Sequence, residues 1–195
     1  MLYNIAKCIC WLIFKLVFRL KVTGQEDIPQ DGPFIIVANH SSLLDPVILG
    51  VSVRPKVIFV AAAYLFKIGW LGYMLRKFNS IPVQRENGIK AIKQSLEILK
   101  RGGILVIFPE GGIDRQKNNL PVRAGAAYLA AKIGVPIVPI RIKGADKALP
   151  RGAKFIRSLH KIEVEIKKPI FCSRQTNKDK EIIRNTVESY IKEIY

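Results

Sequence analysis

Apolar residues along this chain come in short unbroken runs, separated by stretches of helical periodicity. Phe34-Ile35-Ile36-Val37-Ala38, Lys56 to Val60, Gly103 to Phe108 and Val135 to Ile142 have strand length and many β-branched residues. That pattern predicts strands buried on both faces. Residues 79–85 predict a further strand ending at Arg85, and 161–166 alternate as a half-buried strand does. Residues 46–53 make a short apolar helix, stopped at Arg54-Pro55. Over 87–101, Ile89, Ile92, Leu96 and Leu99 form one stripe, with Asn87 able to cap it and Gly102 to stop it. Residues 121–133 form another helix, with Pro121 near its start and Gly134 just past its end. Residues 176–194 place Ile183, Val187, Ile191 and Ile194 on one face of a closing helix. Residues 21–33 read as a linker and 144–158 as a basic loop. The alternation of strands and helices predicts an α/β fold, a mixed or parallel sheet flanked by helices.

The first 22 residues are apolar and aromatic, interrupted by Lys7, Lys15, Arg19 and Lys21, and the first acidic residue is Glu26. A membrane-spanning helix needs about 20 mostly uncharged residues, and Lys7 and Lys15 split this run. No small-residue cleavage site follows, which argues against a signal peptide. The expectation is an amphipathic helix over 1–22 lying in the membrane interface, lysines at anionic head groups. A helix packed on the domain and a true span are the alternatives. Residues 23–195 would then form one domain, for which the chain is long enough.

Charge narrows the partners. The 195 residues carry 32 basic against 15 acidic side chains, a formal net charge of +17, and 49% of them are hydrophobic. Such a balance favours an anionic partner. No zinc-finger spacing, RNA-recognition signature or long basic arm is present, so a membrane surface is expected and nucleic acid is not. Three cysteines give no disulfide framework and suit a reducing, cytosolic setting. Two histidines, His40 and His160, are too few for a multi-histidine metal site, and no metal is expected. His160 reads as a surface residue.

The candidate chemistry follows the first buried strand, in Asn39-His40-Ser41-Ser42-Leu43-Leu44-Asp45-Pro46. Pro46 suits the first turn of a helix, so His40 and Asp45 fall at a strand-to-helix junction, where open α/β sheets place their chemistry. Histidine exchanges protons near neutral pH, and a carboxylate can hold its ring in one tautomer. A spacing of five does not align two side chains on a regular helix, so the turn itself must bring them together. On these residues alone, a loop histidine beside a helix-capping Asp45 is the better reading. Ser41 and Ser42 read as local turn hydroxyls, with no G-x-S-x-G elbow around them.

Further blocks carry a resemblance. His40 to Asp45, Ile81-Pro82-Val83-Gln84-Arg85, Phe108-Pro109-Glu110-Gly111 and Val135 to Ile140 occur in the order and at the separations of the glycerolipid acyltransferase family. The chain resembles that family over roughly residues 20 to 172, and among its members is most similar to the bacterial lysophosphatidic acid acyltransferases. The resemblance implies a glycerol-3-phosphate acyltransferase-like fold. It implies His40 as general base and Asp45 as its partner. Arg85 and Arg123 would hold a phosphate, and Glu110 and Gly111 would shape the acceptor site. Arg123 stands where the family usually has a lysine. Gly112 and Ile113 replace the usual Thr and Arg, and Arg115, two residues on, is the residue that would compensate.

The implied reaction moves a fatty acyl group from acyl carrier protein or coenzyme A to the free hydroxyl of 1-acyl-glycerol 3-phosphate. It needs no cofactor beyond that thioester co-substrate and would take place at the cytoplasmic face of the cell membrane. Gly112 and Ile113 keep another lysolipid or alcohol acceptor open. A non-catalytic basic module binding lipid, and a metal hydrolase built on His40, Asp45 and Glu110, are rival classes. The aromatic stretch Tyr64 to Lys77 reads either as a core helix or as an acyl-chain wall or second membrane contact, with Lys67, Arg76 and Lys77 toward phosphates.

Overall fold

The structure, a computed structural model, describes residues 2–77, 79–83, 88–109, 125–150, 152–153, 155–157, 159–171, 185 and 189. Its strands are β1 (Lys21–Thr23), β2 (Ile35–Ala38), β3 (Val57–Ala62), β4 (Ile81–Val83), β5 (Ile104–Ile107), β6 (Ile137–Lys143) and β7 (Glu163–Ile166). They form one seven-stranded sheet in the order β1-β7-β6-β2-β5-β3-β4. The five strands from β6 to β4 run parallel to one another. β7 runs antiparallel to β6, and β1 follows β7. The sheet is therefore mixed.

The strand residues divide by parity. Ile36 and Ala38 of β2, Val106 of β5 and Val138 and Ile140 of β6 enter one buried cluster. There they meet α2 (Asp45–Ser52), through Ile48, Leu49 and Val51, and α1 (Leu2–Val17), through Phe14. The short α6 (Ala145–Ala148) adds Ala145 and Ala148. Ile35, Val37, Leu105 and Ile137 enter the other cluster, under α4 (Gly88–Lys100) and α5 (Gly125–Ile133). Period-two alternation in the strands thus gives the sheet a core on each face.

Several expectations are corrected. The 21–33 region contains β1, a three-residue edge strand that exists because Lys21 to Thr23 pair with Glu163 to Glu165. Gly24 turns the chain away from it at a φ of +77°, where a Cβ would collide with the Ile166 carbonyl. On α4 the fully buried positions are Ala91, Ser95 and Leu99, while Ile89, expected in the stripe, is 69% exposed. Small residues at 91 and 95 let the helix approach closely and move its buried face off the larger side chains. The aromatic stretch divides into a 3₁₀ turn, Ala63–Lys67, and α3 (Gly69–Lys77), with Tyr64, Ile68 and Tyr73 exposed. It is not a simple core helix. The basic loop contains α6, and His160 is half-buried. The expected closing helix over 176–194 lies outside the described residues apart from positions 185 and 189. Among the described residues no helix is long and apolar enough to cross a membrane.

Candidate active site

β2 ends at Ala38, and the next residue fixes where the chain goes. Asn39 is buried; its Nδ2 donates to the Ile142 carbonyl at 2.9 Å, and its Oδ1 accepts from the Ile142 amide at 2.7 Å. The carboxamide thus imitates a strand residue and extends the β2–β6 pairing through a side chain. His40 leaves from this strut at the carboxyl edge of the sheet.

The turn after it is organised by one carboxylate oxygen. Asp45 Oδ2 accepts from the Ser41 amide at 2.7 Å and from the Ser42 amide at 2.8 Å, and it lies 3.0 Å from His40 Nδ1. The Asp45 side chain is completely buried, and that of His40 is 13% exposed. Asp45 is the first residue of α2, with Pro46 beside it in the first turn. An acidic side chain at a helix start is favoured by the helix dipole. The spacing of five works because the intervening turn, closed by the Asp45 amide donating to the Ser42 carbonyl at 3.2 Å, folds back over the carboxylate.

A carboxylate can only accept, so the proton between the pair belongs on Nδ1, and proton transfer falls to Nε2. Phe108, just past β5, stacks on the imidazole with ring centroids 4.2 Å apart and planes inclined by 22°. Phe59 lies beyond it at 6.5 Å. One face of the histidine is therefore packed against hydrocarbon, which restricts ring rotation. Ser42 Oγ donates to the Leu149 carbonyl at 2.9 Å and accepts from the Leu44 amide at 3.2 Å. The hydroxyl is a local turn group as expected, but it also ties the turn to the segment after α6.

His40 and Asp45 are thus brought together as the sequence predicts. Arg85, Glu110, Gly111, Arg115 and Arg123, with Gly112 and Ile113, lie outside the described residues. β4 and β5, which lead into residues 84–87 and 110–124, both run parallel to β2 and end at the edge that carries His40. Sequence reasoning missed Asn39 and Phe108. A polar residue closing an apolar run was the signal for the first; the second needs the β2–β5 pairing. Among the described residues no three His, Cys, Asp or Glu side chains gather as a metal site.

Such a pair can accept a proton from a hydroxyl and return it to a leaving group, with the imidazolium stabilised meanwhile by a buried carboxylate. Known proteins share this framework. The acyltransferase family profile matches residues 19–143, which run from just before β1 to the end of β6. A 1-acyl-sn-glycerol-3-phosphate acyltransferase of Bacillus subtilis is 33% identical over 161 residues, covering 82% of this chain and 77% of its own length. A chloroplastic enzyme of the same name from Brassica napus is 31% identical over 161 residues, 80% of this chain; the chain spans only 46% of that relative. The crystal structure of the 1-acyl-sn-glycerophosphate acyltransferase PlsC from Thermotoga maritima superimposes with a TM-score of 0.76 at 25% identity, over 98% of this chain and 80% of that one. With the sheet and the sequence in agreement, the chain belongs to the acyltransferase family.

Proposed function

We propose that this protein transfers a fatty acyl group from an acyl carrier protein or coenzyme A thioester to the sn-2 hydroxyl of 1-acyl-sn-glycerol 3-phosphate, forming phosphatidic acid. The observation that carries the reading is the 3.0 Å contact between His40 and buried Asp45 inside the segment matched to the family. His40 Nε2 takes the hydroxyl proton as the oxygen attacks the thioester carbonyl. The C–S bond then breaks, and the proton passes to the departing thiolate. Asp45 holds the ring and stabilises its charged form. The substrate hydroxyl is the nucleophile, so neither Ser41 nor Ser42 is needed as one.

Arg85 and Arg123 hold the acceptor phosphate, a task suited to a planar and permanently charged group. Glu110 and Gly111 shape the glycerol site, and Arg115 supplies the charge missing at Ile113. The reaction requires no metal.

The lipid substrates suit a location on the cytoplasmic face of the cell membrane, with α1 in the interface. Ile9, Leu12, Ile13 and Leu16 form its exposed row, between 47% and 69% accessible, while Phe14 is buried in the domain. That i, i+3, i+4, i+7 spacing is one helix face, and an exposed apolar face suits a bilayer surface.

Acyl transfer by the detergent-solubilised protein tests the reaction. Labelled acyl donors of both kinds would be offered with 1-acyl-glycerol 3-phosphate, with His40→Ala alongside. Product from the wild type and a rate at least a hundredfold lower from folded His40→Ala are expected; an active His40→Ala variant would sink the mechanism. A second reading keeps the chemistry and changes the acceptor, because Gly112 and Ile113 remove a hydroxyl and a guanidinium from the acceptor motif. A panel of lysolipids and polar alcohols separates the two.

A further inference from the structure

The segment between α6 and β7 has no part in the chemistry above, yet it is built into the same edge of the sheet. Its sequence from Pro150 to Lys161 holds Arg151, Lys154, Arg157 and Lys161 and no acidic residue. Within it Phe155 is 81% exposed, Ile156 50% and Leu159 59%. Single exposed apolar residues are ordinary; three within five positions on one basic loop are not.

The loop is pinned at both ends. At its start the Leu149 carbonyl accepts from Ser42 Oγ of the catalytic turn, and the Arg157 amide returns to the Ala148 carbonyl at 2.9 Å. At its end the Ile162 amide donates to the Phe18 carbonyl, just past α1, and the Lys21 amide donates to the Ile162 carbonyl, both at 3.0 Å. Gly144, at a φ of +83°, lies against the Lys161 backbone where any Cβ would collide, so the two ends close on each other.

Strand direction sets the side. β6 runs parallel to β2, so the chain after Lys143 emerges at the edge that carries His40. β1 runs opposite to β6, because it is parallel to β7 and β7 is antiparallel to β6. The end of α1 therefore meets the sheet at that same edge. The catalytic turn, the foot of α1 and the 150–161 loop lie together.

We propose that this loop is a lipid-contacting element. Phe155 and Ile156 enter the interfacial layer of an anionic bilayer, and Arg157 faces its head groups, beside the catalytic turn; Lys161 is instead paired with Glu163 at 2.7 Å. Basic side chains interleaved with large apolar ones fit an anionic lipid surface, where charge and hydrocarbon are presented at adjacent depths. An acidic protein would satisfy the charges but would leave an 81% exposed phenylalanine without a reason. The inference extends the membrane reading of α1 and rests on the view that the substrate is drawn from a bilayer.

The test is partition of the full-length protein onto vesicles of phosphatidylcholine alone and of phosphatidylcholine mixed with phosphatidylglycerol, without substrate. A Phe155→Ser/Ile156→Ser double variant with wild-type Tm is expected to bind the anionic vesicles about tenfold more weakly. Phe155→Trp should restore binding. Against the background of the two native tryptophans, its emission should shift to the blue and be quenched by brominated lipid. Partition of the double variant within twofold of wild type would overturn the proposal, as would a Phe155→Trp signal blind to brominated lipid. Should the double variant fail to fold, the Phe155→Trp quenching decides. Normal vesicle binding by the double variant, with slower turnover only from the carrier-protein donor, would assign the loop to that protein and overturn the lipid contact. Binding needs no turnover: lipid-dependent effects in a protein that acylates nothing would uphold the loop and overturn the proposed reaction.

Discussion

The two faces of the sheet are finished differently. Over one, α4 buries Ala91, Ser95 and Leu99 and turns Lys90, Lys93, Glu97 and Lys100 outward. α5 beside it packs Ala126, Ala127, Ala130 and Ala131 inward. Apart from Ile89 and Tyr128, the exposed side chains there are polar. Over the other, α1 buries Phe14 and presents Ile9, Leu12, Ile13 and Leu16 outward. Among the described residues, apolar side chains mostly pack inward on one side, while on the other α1 exposes a row of them. The His40–Asp45 turn grows from that second side, since Asp45 begins α2 and α2 packs with α1 on that face. Among the described residues, the exposed apolar row of α1 and the His40–Asp45 turn thus belong to the same side of the sheet.

The comparison can be broken at graded points. The largest effect is expected at Asp45, where Asn keeps the volume but turns an amide toward donors. Initial rates of Asp45→Asn should fall about 10²–10⁴-fold, and a fall under tenfold would remove its tautomer role. Next comes the face under α4 and α5. Leu99, 1% exposed, should cost about 2–5 kcal/mol on truncation to Ala, read by urea unfolding; a cost below 1 kcal/mol would mean that α4 is not part of the core.

Smaller is Lys7, whose Nζ donates to the Val53 and Arg54 carbonyls at the end of α2. Burial holds its pKa below the usual 10.5. Lys7→Met should cost about 1–2 kcal/mol near neutral pH. The sign with pH is definite: between the folded pKa and 10.5 the unfolded chain binds more protons. Wild type should therefore gain on Lys7→Met as pH rises through that window, and the opposite slope would contradict a buried lysine. The smallest effect on stability is expected for Leu12→Ser/Leu16→Ser, within about 0.5 kcal/mol, with vesicle binding about tenfold weaker. A stability loss above 2 kcal/mol would show that this row is covered by protein.

What could be read from the sequence was what is locally encoded. β2, β5 and the body of α4 announce themselves by period and length, and His40 with Asp45 by a strand run, a turn and Pro46. The features missed depend on distant segments. β1 has three residues and becomes a strand only against β7. The Phe108 stack requires β2 and β5 to be neighbours. The Asn39 strut requires Ile142. Ile89 was misplaced because a hydrophobic stripe records residue size, whereas helix approach was set by Ala91 and Ser95. The expected phosphate and acceptor residues rest on motif resemblance alone, since single arginines in loops have no periodicity to mark them, and they lie outside the described residues.

The Asn39 strut also imposes an order in time. Its partner, Ile142, lies 103 residues further along the chain. At about 5–20 residues per second, a ribosome needs roughly 5–20 s to make that stretch. α1 is already complete before β2 has been synthesised. During that interval the nascent chain has its apolar helix, but the His40–Asp45 turn is not yet anchored to β6, so the two features of this side of the sheet are completed seconds apart.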